Sequence, residues 1–268
     1  MPVGSLLSVD YKSWKMIKML READRPALKT FIGTALIKLA TGVIGLWGSI
    51  NIYFFSYLRS NGTEITKLTN SLIMLCAVIP ASFAVFLSAR LGTLLGYKKV
   101  VRICACIFAF SPYLINLSLN LFTMGLFYLL VPITCFAISS IPVLNCLWSQ
   151  FPNDLNKVSG SAVLFFSLGM IIWNLTFVGI TNPDNFKAEI VNEEAFFPPE
   201  ISNNVFKASN VMFTLSGISF LIGSFLIEKR SDSSQNKLKL EEESPPPEPI
   251  EMIGSETKKS YSPSEEKL

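Results

Sequence analysis

W-S-Q-F-P-N-D-L-N-K-V-S-G, Trp148 to Gly160, leads into an uncharged apolar run over 159–180, which closes on G-I-T-N-P-D-N, Gly179 to Asn185. At about 1.5 Å of rise per residue, a helix of that length covers roughly the 30 Å of a bilayer's hydrocarbon core. Phe151-Pro152-Asn153-Asp154 before it and Asn182-Pro183-Asp184-Asn185 after it carry residues that stop helices and build turns. The stretch reads as a membrane helix with defined borders.

Outward from it, runs of the same kind occupy 31–58, 71–89, 100–117, 121–148 and 208–227. Half of the 268 residues are hydrophobic and only 16% are charged, against about 25% charged in a soluble domain. The runs are continuous rather than alternating, which excludes a transmembrane β-barrel. The expected fold class is an all-α membrane protein with six transmembrane helices in residues 30–228. A basic segment, 1–29, precedes them and a polar tail, 229–268, follows.

Lys12, Lys15, Lys18, Arg21, Arg25 and Lys29 are spread too widely for a signal peptide, and the apolar run after them is too long for its core. Trp14, Ile17 and Leu20 suit a short helix on an anionic leaflet. A basic flank that only sets topology fits the same residues. The tail, with Glu241-Glu242-Glu243-Ser244-Pro245-Pro246-Pro247, has the composition of a disordered segment. Its Ser244-Pro245 and Ser262-Pro263 match proline-directed phosphorylation sites.

Few polar residues interrupt the spans. Lys38 is the clear ionisable side chain inside one. Such a charge faces a cavity or a partner, unless its stem carries it back to the interface; both readings stand for Lys38. Gly42, Gly45 and Ser49 share its face, where another helix or a solute can approach closely. Asn145 suits an interhelical hydrogen bond or a solute contact. Within 159–180, Ser167 and Asn174 lie on one face, and Gly169, Trp173 and Thr176 on another. Pro80, Pro132 and Pro142 mark kinks.

The chemistry of catalysis is missing from the pattern. There is no histidine, no pair of membrane carboxylates and no phosphate-binding glycine loop. Cys76, Cys104, Cys106, Cys135 and Cys146 all fall in apolar runs and read as small core residues. No enzyme activity, cofactor or metal is expected. Lysine and arginine follow topology rather than forming a nucleic-acid patch. With both ends inside, thirteen lie near the inner span ends and four (Arg59, Lys67, Lys187, Lys207) near the outer ones. This bias places both termini in the cytoplasm. The sequon Asn61-Gly62-Thr63 then lies outside, making Asn61 a glycosylation candidate. A plasma membrane and an endomembrane suit the chain equally.

L-G-Y-K-K-V-V, Leu95 to Val101, joins the second and third runs and resembles the end of the loop 2–3 signature of the major facilitator superfamily. Gly96, Lys98 and Lys99 match its glycine and two basic residues. Its acidic and following basic positions fall near Thr93 and Leu94, and neither is present, which puts the usual gating latch in doubt. W-G-S-I-N-I-Y-F-F-S-Y-L-R, Trp47 to Arg59, resembles the first span of the oxalate/formate-antiporter and monocarboxylate-transporter-like branch. Phe151-Pro152 with Val158-Ser159-Gly160, then Asn182-Pro183 and Phe197-Pro198, resemble that branch's later loops. The resemblance covers about residues 30 to 228, the N-terminal six-helix half of a protein that in this family has two.

The resemblance implies transmembrane transport of a small organic anion, mono- or dicarboxylate-like, by a half-size carrier paired with itself or with a second six-span half. It implies a site wall of Gly45, Ser49, Tyr53, Asn145 and Trp173, to which Lys38 adds a positive charge. Lipid and a small solute are the expected partners. The alternative is a non-transporting accessory or interaction membrane protein derived from a transporter half. Cytoplasmic topology of both ends is testable on sealed membranes. Protease added from the cytoplasmic side should remove an epitope placed at either terminus and spare one inserted beside Asn61; the reverse protection would overturn the assignment.

Overall fold

The computed structural model describes residues 18–230 except 64, 118–119 and 192–193. Residues 231–268 of the tail, Trp14 and Ile17 lie outside the described residues. Five stretches are long and apolar enough to cross a membrane: Arg25–Ser60, Ser71–Leu95, Leu121–Gln150, Pro152–Thr181 and Pro199–Leu226. Length and composition of these helices make the fold that of an all-α membrane protein.

The first stretch has three parts, helix α1 (Arg25–Thr41), a 3₁₀ segment Gly42–Leu46, and α2 (Trp47–Ser60). Asp24 starts it by accepting the Ala27 N–H at 3.0 Å, satisfying one of the donors a helix start leaves open. Helix α3 (Lys67–Leu95) begins on a reciprocal Thr66/Thr69 capping box and carries Pro80 inside. Helix α4 (Tyr97–Phe110) is shorter than the run expected over 100–117, which continues as a 3₁₀ segment, Ser111–Leu117. Pro112 accounts for the change, since it has no N–H to donate and its ring crowds the preceding turn. The run is therefore not among the five long helices.

The fourth run also changes register. Helix α5 (Leu121–Met124) passes through a π-helical segment, Gly125–Leu130, into α6 (Val131–Gln150). Pro132 follows directly and cannot donate to the turn before it, a setting in which the ladder shifts. Helix α7 (Leu155–Thr181) is the span that closes at Asn182. The short α8 (Pro199–Ser202) and the long α9 (Val205–Leu226) end the described chain. Between α7 and α8 a hairpin pairs β1 (Glu189–Val191) with β2 (Glu194–Phe196), Glu189 opposite Phe196. By its composition, with Asp184, Glu189, Glu193, Glu194 and Glu200, the segment 181–207 reads as an acidic loop. The hairpin is anchored by Phe196, which is buried under the Arg59 guanidinium at 4.1 Å, while Ile190 stays exposed.

Helix α1 is the centre of the bundle. Nine of its 17 residues are buried, against seven of the 27 in α7. Two glycine contacts place it. A Cβ on Gly33 would lie 2.8 Å from the Gly223 carbonyl oxygen, and one on Gly223 would lie 2.7 Å from that of Gly33. One turn past Lys38, a Cβ on Gly42 would meet the backbone of Gly169 and Met170 at 2.6 Å, and one on Gly169 would strike Leu39. Small residues let helix backbones touch where no hydrophobic effect drives them together.

The start of α1 and the end of α9 lie at the same end of the bundle. The Thr30 hydroxyl accepts the Glu228 N–H at 3.0 Å and reaches the Glu228 carbonyl. Gln150 donates to that same carbonyl at 2.9 Å, and the Arg230 N–H donates to Ser149. Leu20, which suited either a leaflet helix or a basic flank, packs on the cluster of Phe31, Leu147, Phe151, Val158 and Ala162. At the opposite end Ser56 accepts the Phe197 N–H at 2.8 Å.

Gly33→Ala and Gly169→Ala should each lower stability by about 1–3 kcal/mol, since an added methyl overpacks a backbone contact. Gly160→Ala, where a Cβ meets nothing within 4 Å, should be neutral or stabilising by up to about 1 kcal/mol. Unfolding in mixed micelles followed by circular dichroism reads all three, and equal stability of Gly169→Ala and Gly160→Ala would refute the contact assignment.

Candidate functional site

Lys38 sits within α1 and is 9% exposed. Its ammonium lies 5.3 Å from the centroid of the Phe136 ring. Phe136 stacks on Phe166 with centroids 5.6 Å apart, so the cation meets the electron-rich face of an aromatic pair. Lys38 is about 12 Å along α1 from Thr30, while Phe136 is about 21 Å along α6 from Gln150, at 1.5 Å per residue. Because Thr30 and Gln150 converge on Glu228, the ammonium is directed away from that end and deeper into the bundle. Among the described residues no carboxylate pairs with it.

The helix breaks one turn beyond Lys38. The N–H of Gly42 is shared among the carbonyls of Lys38, Leu39 and Ala40, and the Thr41 hydroxyl donates to the Lys38 carbonyl at 3.2 Å. The Trp173 indole donates to the Leu39 carbonyl at 2.7 Å. Trp173 thus bridges α7 to the segment where α-helix gives way to 3₁₀. It secures the backbone beside Lys38.

Of the residues expected to form a wall, the structure brings Trp173 and Gly45 to the Lys38 region. Gly45 faces the Met170 side chain, whose Cε would lie 2.8 Å from an added Cβ. Gly42 and Gly45 thus meet α7, and the exposed positions of this line are Gly45, Gly48 and Ser49. Tyr53 lies towards the other end, stacked on Phe197 at 4.3 Å and edge-on to Phe177. Asn145 is half-buried in α6, well separated along the helix from Phe136. Tyr53 and Asn145 are not gathered around Lys38.

Gly96 adopts φ +85 at the junction of α3 and α4, a conformation that favours glycine. Lys98 and Lys99 follow it in the first turn of α4, and the Tyr97 ring rests on Gly92. Asn61 is exposed past the end of α2, where its amide donates to the Tyr57 carbonyl at 2.8 Å. Among the described residues no group of three or more metal-ligating side chains occurs.

Sequence reading missed Phe136, Phe166 and Met170, since aromatic and apolar residues in a span carry no signal of what they cover. Gly169 and Trp173 had a signal, their shared helix face, and both meet α1. Comparison with known protein families, characterised proteins and solved structures finds no match.

Trp173→Phe should keep the ring packing but remove the indole donor from the Leu39 carbonyl. The expected loss is about 1 kcal/mol, the usual net value of such a bond, read as a lower unfolding midpoint in mixed micelles. An unchanged midpoint would show that the indole N–H does not support the break.

Proposed function

We propose that this chain is one six-span half of a carrier for small organic anions, with Lys38 as the anion-contacting group. The observation that carries the reading is the buried Lys38 ammonium, which has an aromatic neighbour and no carboxylate partner among the described residues. A buried cation left without a counter-charge costs several kcal/mol, and a carboxylate solute would supply that charge. The spans contain no Asp or Glu, so an anion has no internal competitor for Lys38 there.

Six crossings are part of the proposal. Helix α4 covers about 21 Å at 1.5 Å per residue, and the 3₁₀ segment after it about 14 Å at 2.0 Å per residue. Together they exceed the roughly 30 Å of a bilayer core. The end at which Thr30 and Glu228 meet is the cytoplasmic one in this reading, in keeping with the excess of lysine and arginine there. Glycines 45 and 48 with Ser49 form the part of α1 and its continuation left for a second half, either another copy or a different six-span chain. The family resemblance of the loops supports the same reading.

The test uses the full chain in proteoliposomes with labelled formate, lactate or oxalate. Uptake should fall at least tenfold in Lys38→Met and recover in part in Lys38→Arg, with both variants folded. Light scattering should give a protein mass twice the 29.7 kDa of one chain. Uptake unchanged in Lys38→Met would overturn the role of the lysine. A one-chain particle without uptake would favour the accessory reading.

A further inference from the structure

Helices α3, α4 and α6 border a cavity of about 430 Å³. On α4 it is lined by Val100, Ile103, Cys104 and Ile107, and on α6 by Val131, Thr134, Cys135 and Ile138. Each set runs i, i+3, i+4, i+7, which is one face of a helix. The cysteine holds the same place in both, the third of the four. The two helices pack against each other, and Cys104 and Cys135 meet on these faces, where their thiols hydrogen-bond.

Both side chains are buried, and both are free thiols. A single buried cysteine is inert. Two in contact behave differently, because a sulfenic acid formed on one meets the other before any free thiol arrives. Holding the sulfurs on neighbouring helices gives each a high effective concentration towards the other. The cavity supplies access. Its lining includes Leu95, Ile103 and Ile107, which are also exposed on the outside of the bundle. Apart from Thr134 and the two thiols, the described lining is apolar. A small or lipophilic oxidant suits such an opening better than a charged one.

We propose that Cys104 and Cys135 form a modification site, a dithiol that a hydroperoxide oxidises to a disulfide joining α4 to α6. One sulfur, as thiolate, attacks the outer peroxide oxygen. The O–O bond breaks, the alcohol (water, from hydrogen peroxide) leaves with that thiol's proton, and the sulfur becomes a sulfenic acid. The second sulfur attacks the first, the S–S bond forms, the S–O bond breaks, and water leaves with the second thiol's proton. Two electrons pass from the sulfur pair to the peroxide. The new bond, about 2.05 Å long, draws together two helices otherwise held by packing, and the cavity beside it leaves room for the shift. A thiol reductant reverses the bond by exchange. The assignment does not depend on transport or on Lys38.

The test uses the full wild-type chain in proteoliposomes, treated with cumene hydroperoxide or hydrogen peroxide, blocked with N-ethylmaleimide and digested for mass spectrometry. A peptide pair joined through Cys104 and Cys135 should appear, two hydrogens lighter than the sum of its parts, and separate on reduction with dithiothreitol. It should exceed a link between any other two cysteines by at least about tenfold, given the effective concentration that contact confers. Cys76→Ala, Cys106→Ala and Cys146→Ala together should leave its yield unchanged; a loss of the link in that variant, if folded, would show that another cysteine relays the oxidation and would overturn the direct step. Faster linkage by cumene hydroperoxide would assign the oxidant to the lipid phase, and faster linkage by hydrogen peroxide would keep the pair and assign a water-soluble one. Cys104 and Cys135 both captured as free thiols after either peroxide, a link that forms only once the chain is denatured, or oxidation of one sulfur past the sulfenic acid without a link would overturn the proposal.

Discussion

The structure depends on backbone meeting backbone along one helix. Gly33 against Gly223 and Gly42 against Gly169 bring α1 into contact with α9 and α7 at distances that no side chain permits. Inside a membrane the hydrophobic effect does not distinguish helix from lipid, so close packing and polar contacts must hold the helices together. Glycine allows the closest approach, and α1 uses it on two sides. That is why the first helix is the buried one while α7 exposes much of its surface to the surroundings.

The same closeness shapes the neighbourhood of Lys38. With α7 drawn against Leu39 and Gly42, Trp173 comes within hydrogen-bond distance of the Leu39 carbonyl. That carbonyl is at the point where the α-helical ladder loosens into 3₁₀ geometry, so a donor from another helix is useful there. The lysine one residue earlier is held in a stretch of backbone fixed by α7. Its ammonium lies against the Phe136–Phe166 pair on α6 and α7. Burial, backbone support and aromatic contact therefore all follow from one helix crossing.

The two ends of the bundle are closed by different means. One end is polar, where Thr30, Ser149 and Gln150 hold the backbone at 228–230. The other is aromatic, where Tyr53 stacks on Phe197 and Arg59 covers Phe196. The hairpin Glu189–Phe196 is a consequence of that second closure. Only Phe196 of its described side chains is buried, so its strands were hidden in what reads as an acidic loop.

The sequence alone determined where the chain is apolar enough for a membrane and where it must turn. Hydropathy is a property of each residue in series, and the turn signals at Phe151-Pro152 and Asn182-Pro183 are local; α7 begins and ends within a few residues of them. It also showed that Lys38 is an unusual charge, because no neighbour in its span offsets it. The tertiary structure alone decided what each face meets. The face of Gly42, Gly45 and Ser49 was equally suited to a solute or a helix, and Gly169 and Met170, far along the chain, decided for a helix at Gly42 and Gly45. It placed Tyr53 in an aromatic closure far from Lys38, and brought Cys104 to Cys135. Such pairings depend on which helices cross and at what height. Periodicity along one helix names a face, but the identity of the group opposite that face is a relation between distant segments.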